Sequence, residues 1–305
     1  MLLANETMTI KASSSSQVHQ DSEFPAWRLP HPANSSSSSR SSSASPTPSA
    51  TTARKAKLSP PLDPSNYPNG EKSLSGISLR AFLIGTTLGI STCVTFFFAF
   101  LQSTPLWRVP FFLASLSLFH FLEFYVTAAY NTRYASVSAF LLSSNGWAYN
   151  VAHGSAMLEC FIGYYFFPES HYYSLNIEDA SGVKITLALG LVLMALGQVV
   201  RTLAMAQAGS NFNHTVQVEH KEGHVLVQNG VYALSRHPSY FGFFWWGLGT
   251  QLVLGNVVCF VGYAIVLWRF FSSRIKREEK FLVCFFGDDY VDYKKTTWVG
   301  IPGIQ

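Results

Sequence analysis

The chain has 305 residues, of which 48% are hydrophobic, 15% aromatic and only 12% charged, against about 25% charged in an ordinary soluble domain. With mean hydropathy above zero, at +0.18, that deficit places the chain in the membrane class. A formal net charge of +4 without a basic stripe gives no reason to expect a nucleic-acid partner. Cys93, Cys160, Cys259 and Cys284 form no CxxC pair, so neither a disulfide framework nor a bound metal is expected.

In chain order, the first 75 residues read as a disordered cytosolic tail. "NSSSSSRSSSASPTPSATT", Asn34 to Thr52, is Ser/Thr/Pro-rich and cannot bury enough apolar surface to offset its ordering entropy. "MLLANETMTIKASSSS" lacks the apolar run of a signal peptide, and Glu6, Asp21 and Glu23 argue against a transit peptide. Residues 76–305 form the expected membrane domain. Four spans near the ~20 residues a bilayer requires are predicted at Ile77–Leu101, Val109–Ala129, Ala148–Phe167 and Val183–Ala206.

A fifth apolar tract, Phe241 to Phe271, is interrupted at Gly255-Asn256, and its arms are short for spanning helices. A tight helical hairpin is preferred over one bent helix. The expected fold is therefore all-α and integral to the membrane: about six transmembrane helices, the last two a short hairpin, with a polar segment before them and a helix after. Arg54, Lys55, Lys57, Lys72, Arg80, Arg133, Arg274, Lys276 and Arg277 fall on one side of this arrangement. Glu169, Glu178 and Asp179 fall on the other. The positive-inside bias puts both termini and the 207–236 segment in the cytosol.

Glu123, Glu159 and Arg201 are ionisable residues inside predicted spans, where charge is costly and usually faces the bundle interior. They are either structural contacts between helices or, for Glu123 in "HFLEFY", part of a polar cavity. The sequence leaves that choice open.

"HVLVQNGVYALSRHPSY", His224 to Tyr240, reads as a short strand-like run, a turn at Asn229-Gly230, and a helix entered at Pro238. Proline suits the first helical turn, and free N–H groups behind it make a carboxylate or phosphate site. By itself the His/Tyr/Trp cluster at 237–246 would be an interfacial aromatic belt. Beyond the hairpin, "WRFFSSRIKREEKFL" sets Arg274 and Glu278 four residues apart on one helix face. That spacing fits an ordinary exposed ion pair. A hairpin, however, returns both beside His237, and two polar clusters at one interface favour a site.

Together, "AGSNFNHTVQVEHKEGHVLVQNGVYALSRHPSYFGFFWWGLGTQ", "WRFFSSRIKREEKFL" and "FFGDDYVDYKK" resemble the isoprenylcysteine carboxyl methyltransferases, in a six-span form similar to fungal members. The likeness is specific over about 208–295. The "RHPxYxG" element alone is shared with membrane methyltransferases acting on phospholipid amines. The resemblance implies methyl esterification of prenylated protein C-termini, such as those of Ras- or Rho-like GTPases, with S-adenosylmethionine as cofactor. It implies an endoplasmic reticulum membrane with the site facing the cytosol.

Carried across, the family's cofactor contacts fall on Gln217, His224, Val225, Leu226, Val227, Tyr232, His237, Pro238, Ser239, Tyr240 and Glu278. The substrate contact falls on Arg274, with Glu123 a further candidate. The acceptor carboxylate is already anionic, so it needs positioning more than a base. Arg offers it two parallel donors. A phospholipid or small-lipid methyltransferase, a sterol-type NADPH-dependent reductase, and a non-enzymatic transporter or scaffold are the alternatives.

Overall fold

A computed structural model describes residues 63–142, 144–167 and 185–305. The Ser-rich tail up to residue 62 and the acidic loop carrying Glu169, Glu178 and Asp179 lie outside the described residues. From Asp63 the chain makes a 3-10 turn, Pro64–Asn66, and reaches Ser73, whose hydroxyl accepts the Gly76 amide at 3.1 Å. That cap satisfies an otherwise orphaned amide and starts α1 (Leu74–Phe96), which continues through a π-helical turn at Phe97–Leu101. There follow α2 (Arg108–Tyr130), α3 (Gly146–Phe166), α4 (Ile185–Ala208), α5 (Pro238–Leu254), α6 (Val258–Phe286) and α7 (Asp288–Thr296).

The expected all-helical membrane fold is what forms. Leu74–Leu101, Pro105–Tyr130, Ile185–Asn211 and Val258–Phe286 are each long and apolar enough to cross a membrane. The other two expected spans appear as the shorter helices α3 and α5. With 17 residues, α5 rises about 26 Å, less than the ~30 Å of a hydrocarbon core.

Helix α4 and α5 pack backbone to backbone. Gly190 and Gly197 on α4 meet Gly249 and Gly242 on α5. A Cβ on Gly197 would lie 2.5 Å from the Gly242 carbonyl oxygen, and one on Gly249 would lie 2.8 Å from that of Gly190. Small residues allow this approach where lipid provides no hydrophobic drive between helices. The contact carries Arg201 up to the first turn of α5.

The hairpin turns at Gly255, which takes the left-handed conformation (φ 77°) and closes on Gln251 at 2.9 Å. A residue without a Cβ reaches this region at no steric cost. Asn256 then donates to the Ala156 carbonyl at 2.8 Å and to Gln251 Oε1 at 2.9 Å. Glu159 accepts the amides of Val257, Val258 and Cys259 at 2.7–2.8 Å. An anion on the first amides of α6 meets the positive end of the helix dipole, so the intramembrane Glu159 is structural. Together with Asn256 it pins α3 to the closed end of the hairpin.

The second arm extends further than expected. Helix α6 is one 29-residue element that passes Phe271 without a break. Its apolar part packs in the bundle, and its charged part carries the site. The C-terminal segment returns across both arms. Arg236 N–H bonds the Trp298 carbonyl at 3.0 Å, and Trp245 and Trp268 donate to Gly300 and Pro302 at 3.1 and 2.8 Å. Val299, Ile301 and Ile304 are buried with Phe244, Phe271 and Ile275. Trp245 is thus a tie between elements, and Trp246 is core, stacked on Phe119 at 4.6 Å.

Candidate active site

An open pocket lies between the 211–240 segment, the first turn of α5 and the far half of α6. Its empty space, open solvent at the mouth included, is about 860 Å³. Gln217, His224, Val225, Leu226, Val227, Tyr232, His237, Pro238, Ser239, Tyr240 and Glu278 all line it. These are the residues the family resemblance placed on the cofactor. Arg274 stands just behind the wall, and Glu123 lies beneath it without lining it.

The "HVLV" run forms no strand. Apart from an isolated bridge between Ser235 and Trp298, no strand forms among the described residues. No strand edge is available at 224–227, and the Val225 amide bonds the Asn211 side chain at 2.9 Å instead. The turn after it is a 3-10 turn over Gly230–Ala233. It is held by Gln207, which accepts the Val231 amide at 2.8 Å.

His237 caps α5 with a non-helical backbone, and Pro238 occupies the first helical position, as expected. The expected supply of free N–H groups is smaller than read from sequence. Tyr240 and Phe241 both donate to the His237 carbonyl, at 3.1 and 3.0 Å, because the first turn tightens toward 3-10 geometry. Ser239 is the one amide in that turn left for a ligand. Its carbonyl and hydroxyl are held by Arg201 Nη1 at 3.2 and 2.9 Å.

Arg201 in turn makes a two-pronged pair with Glu123, from Nε to Oε1 and from Nη2 to Oε2 at 2.8 Å. Its guanidinium lies 5.4 and 5.3 Å from the ring centres of Phe119 and Phe243. This buried pair joins α2, α4 and α5 under the pocket. The inward-facing reading of the intramembrane charges accounts for both residues.

Arg274 and Glu278 are linked through Tyr240. Arg274 Nε donates to the Tyr240 hydroxyl at 2.7 Å, and that hydroxyl donates to Glu278 Oε2 at 2.5 Å. The Arg274 guanidinium sits 5.3 Å from the Tyr240 ring centre, and its Nη2 bonds the His214 carbonyl. The Tyr240 ring stacks on His237 with centroids 5.5 Å apart and planes 8° from parallel.

Sequence reasoning missed two groups. Glu279 is the hub beneath His237: it accepts from Arg236 Nε at 2.7 Å, bonds Lys294, and lies 3.3 Å from His237 Nε2. Its signal was the second acid of the "EE" pair, a turn position that a helical wheel turns away from Arg274. The other group is Phe285, Phe286, Tyr290 and Tyr293, which close the pocket from the end of α6 and from α7. They arrive there because Gly287 (φ 56°) breaks the helix, a reversal the pattern does not encode. Outside the bundle, burial holds His224 below the ordinary imidazole range, with His220 and Lys221 adding to it. Burial also pushes the Tyr293 phenol up to about 12.

The donor set suits a cofactor with one charged end and one flat apolar end. Polar groups cluster at Asn211, Gln217, His237 and Glu278, while Val225 to Val227, Leu282 and Phe285 form an apolar wall. Tyr290 borders the same space, and its hydroxyl is buried and has no hydrogen-bond partner among the described residues. A polar group of a ligand would satisfy it. No group of three or more His, Cys, Asp or Glu suited to a metal occurs among the described residues.

A bundle of helices apolar enough to cross a membrane, with a pocket at the open end of its hairpin, suits an integral-membrane enzyme. Comparison with known proteins narrows the class. Residues 188–284 match the isoprenylcysteine carboxyl methyltransferase (ICMT) family. The chain is 42% identical over 243 residues to the protein-S-isoprenylcysteine O-methyltransferase of Saccharomyces cerevisiae, covering 79% of this chain and 97% of that protein. It is 40% identical over 230 residues to the Homo sapiens protein of the same name, covering 75% of each. A solved structure described as the eukaryotic intramembrane Ras methyltransferase ICMT superposes with a TM-score of 0.66 at 35% identity, covering 75% of this chain and 77% of that one. The chain belongs to the isoprenylcysteine carboxyl methyltransferase family. That membership favours carboxyl methyl transfer over the phospholipid-methyltransferase and sterol-reductase readings.

Proposed function

We propose that this protein methyl-esterifies the C-terminal prenylcysteine carboxylate of farnesylated or geranylgeranylated proteins, using S-adenosylmethionine, at an endoplasmic reticulum membrane with the pocket open to the cytosol. The observation that carries the reading is the placement of Arg274 one hydroxyl away from the pocket carboxylate Glu278.

When bound, S-adenosylmethionine supplies a methyl group activated by a sulfonium. Gln217, His224 to Val227, Tyr232, His237 to Tyr240 and Glu278 would hold it, with Glu278 taking a ribose hydroxyl or the ammonium group. The Ser239 amide and the dipole of α5 favour a carboxylate at that helix start. The apolar wall from Val225 to Val227 suits a flat base.

Arg274 presents its remaining donors to the acceptor carboxylate. A planar guanidinium holds a carboxylate bidentately and stays charged when partly dried. That oxygen is anionic at neutral pH, so no residue here has to take a proton. What the site supplies is orientation and the exclusion of water. A prenyl chain stays in hydrocarbon at about 0.8 kcal/mol per CH₂, which explains why a carboxyl methyltransferase is built between helices, with the water-soluble partner entering at their ends.

The test is transfer of labelled methyl from S-adenosylmethionine to N-acetyl-S-farnesylcysteine, with phosphatidylethanolamine as the competing acceptor. Label in a base-labile ester of the first supports the reading. Label confined to the phospholipid overturns it.

A further inference from the structure

His214 lies between the two charged clusters, and its imidazole is hydrogen-bonded to neither. Its neighbours Asn213 and Thr215 line the pocket. The Asn213 side chain fixes this turn by accepting both the amide and the hydroxyl of Thr215 at 3.0 Å. The His214 ring packs edge-on against Phe212, with centroids 5.1 Å apart. Its carbonyl accepts from Arg274 Nη2, and its Nδ1 stands 3.8 Å from Glu123 Oε2. Its Nε2 is buried and has no hydrogen-bond partner among the described residues. A buried nitrogen left bare is costly, and such exceptions call for a reason.

Arg274 has a matching surplus. Of its five N–H donors, Nε is taken by Tyr240 and one on Nη2 by His214. The other three have no partner among the described residues. The bare imidazole nitrogen and the guanidinium with spare donors are thus tied to one another through a single backbone carbonyl. We propose that His214 is a second acceptor-binding residue, its Nε2–H donating a hydrogen bond to the carboxylate that Arg274 holds. This rests on the carboxyl-methyltransferase reading.

The charge balance supports that assignment. Burial drops the His214 imidazole to about 4, with Glu123 opposing the shift and Arg201 and Arg274 reinforcing it. The ring is therefore neutral at pH 7. Both Glu123 oxygens are already engaged by Arg201, and 3.8 Å is too long for a hydrogen bond, so the single proton is free to sit on Nε2. A neutral donor directs the carboxylate without adding a second cation. A full second positive charge would damp its nucleophilicity and repel a sulfonium.

The experiment compares binding of N-acetyl-S-farnesylcysteine and of its methyl ester to the full-length protein, with S-adenosylhomocysteine present so that nothing turns over. Wild type prefers the free acid. His214→Phe is expected to narrow that preference about tenfold, while affinity for S-adenosylhomocysteine stays within about twofold. His214→Gln, which keeps an N–H donor on its side chain, retains most of the preference. If His214→Phe weakens acid and ester equally, moves S-adenosylhomocysteine in step, or changes nothing, the assignment is overturned. A wild type that forms no ester and shows no acid preference overturns the functional reading instead.

Discussion

Arg274 and Glu278 stand one helical turn apart on α6, yet no ion pair joins them; each bonds the hydroxyl of Tyr240 on α5 instead. The hydroxyl thereby couples the proposed acceptor side to the proposed cofactor side. Tyr240→Phe removes the relay and leaves the stacking on His237 in place. It should weaken S-adenosylhomocysteine binding and lower kcat/KM for the acceptor together, each by about three- to tenfold. Titration calorimetry and steady-state kinetics on one preparation read both effects. A loss on one side only would mean the hydroxyl serves a single partner.

Arg274→Ala should divide the two sides. Hydrogen bonds to charged groups contribute about 1.5–3 kcal/mol, so kcat/KM for a farnesylcysteine acceptor is expected to fall by roughly 10- to 100-fold. S-adenosylhomocysteine affinity should change far less, since Arg274 does not line the pocket. Arg274→Lys should recover little of the loss, because an ammonium lacks the planar fork. Equal losses on both sides would remove Arg274 from the acceptor role.

Much of this architecture was legible in the residues. Apolar runs of bilayer length marked α1, α2, α3 and α4, Gly255-Asn256 marked the hairpin turn, and Pro238 marked the start of α5, whereas the length of α6 was not foreseen. The residues around "RHPSY" read as an aromatic belt by themselves, and as part of a site because the hairpin returns Arg274 and Glu278 beside them. What stayed hidden was tertiary. The pairing of Glu123 with Arg201 spans 78 positions, and nothing local to either residue names the other. Glu279 carries no local signal of its partners, because Arg236 and Lys294 come from the segment before α5 and from α7. The "HVLV" run has strand composition, but no neighbouring edge completes a ladder for it. The bare nitrogen of His214 follows from packing alone.

The Arg201–Glu123 pair is buried, so removing one partner leaves an uncompensated charge. Single substitutions Glu123→Ala or Arg201→Ala should destabilise by about 3–5 kcal/mol. The double substitution Glu123→Leu with Arg201→Met should recover a substantial part of that loss. Thermal unfolding in detergent or nanodiscs checks the order: each single variant below the double. Equal unfolding temperatures for single and double variants would mean the pair is not coupled.

His214 gives stability a pH dependence whose sign is fixed. Its native imidazole titrates at about 4, against about 6.5 in an unfolded chain. Between those values the unfolded chain binds the extra proton, so stability falls as pH drops from about 6.5 toward 4 and is unaffected above it. His214→Phe removes this contribution. The difference in unfolding temperature between wild type and variant should therefore shift with pH in that window and be flat from about pH 7 to 8. A difference independent of pH throughout would show that the imidazole is not held neutral.

The central claim concerns the bond that is made. Purified protein is given labelled S-adenosylmethionine and two farnesylated peptides that differ only in a free or an amidated C-terminal carboxyl group. The account predicts label on the free-acid peptide alone, released as volatile methanol by mild base. Label on the amidated peptide, or label that survives base, would contradict it.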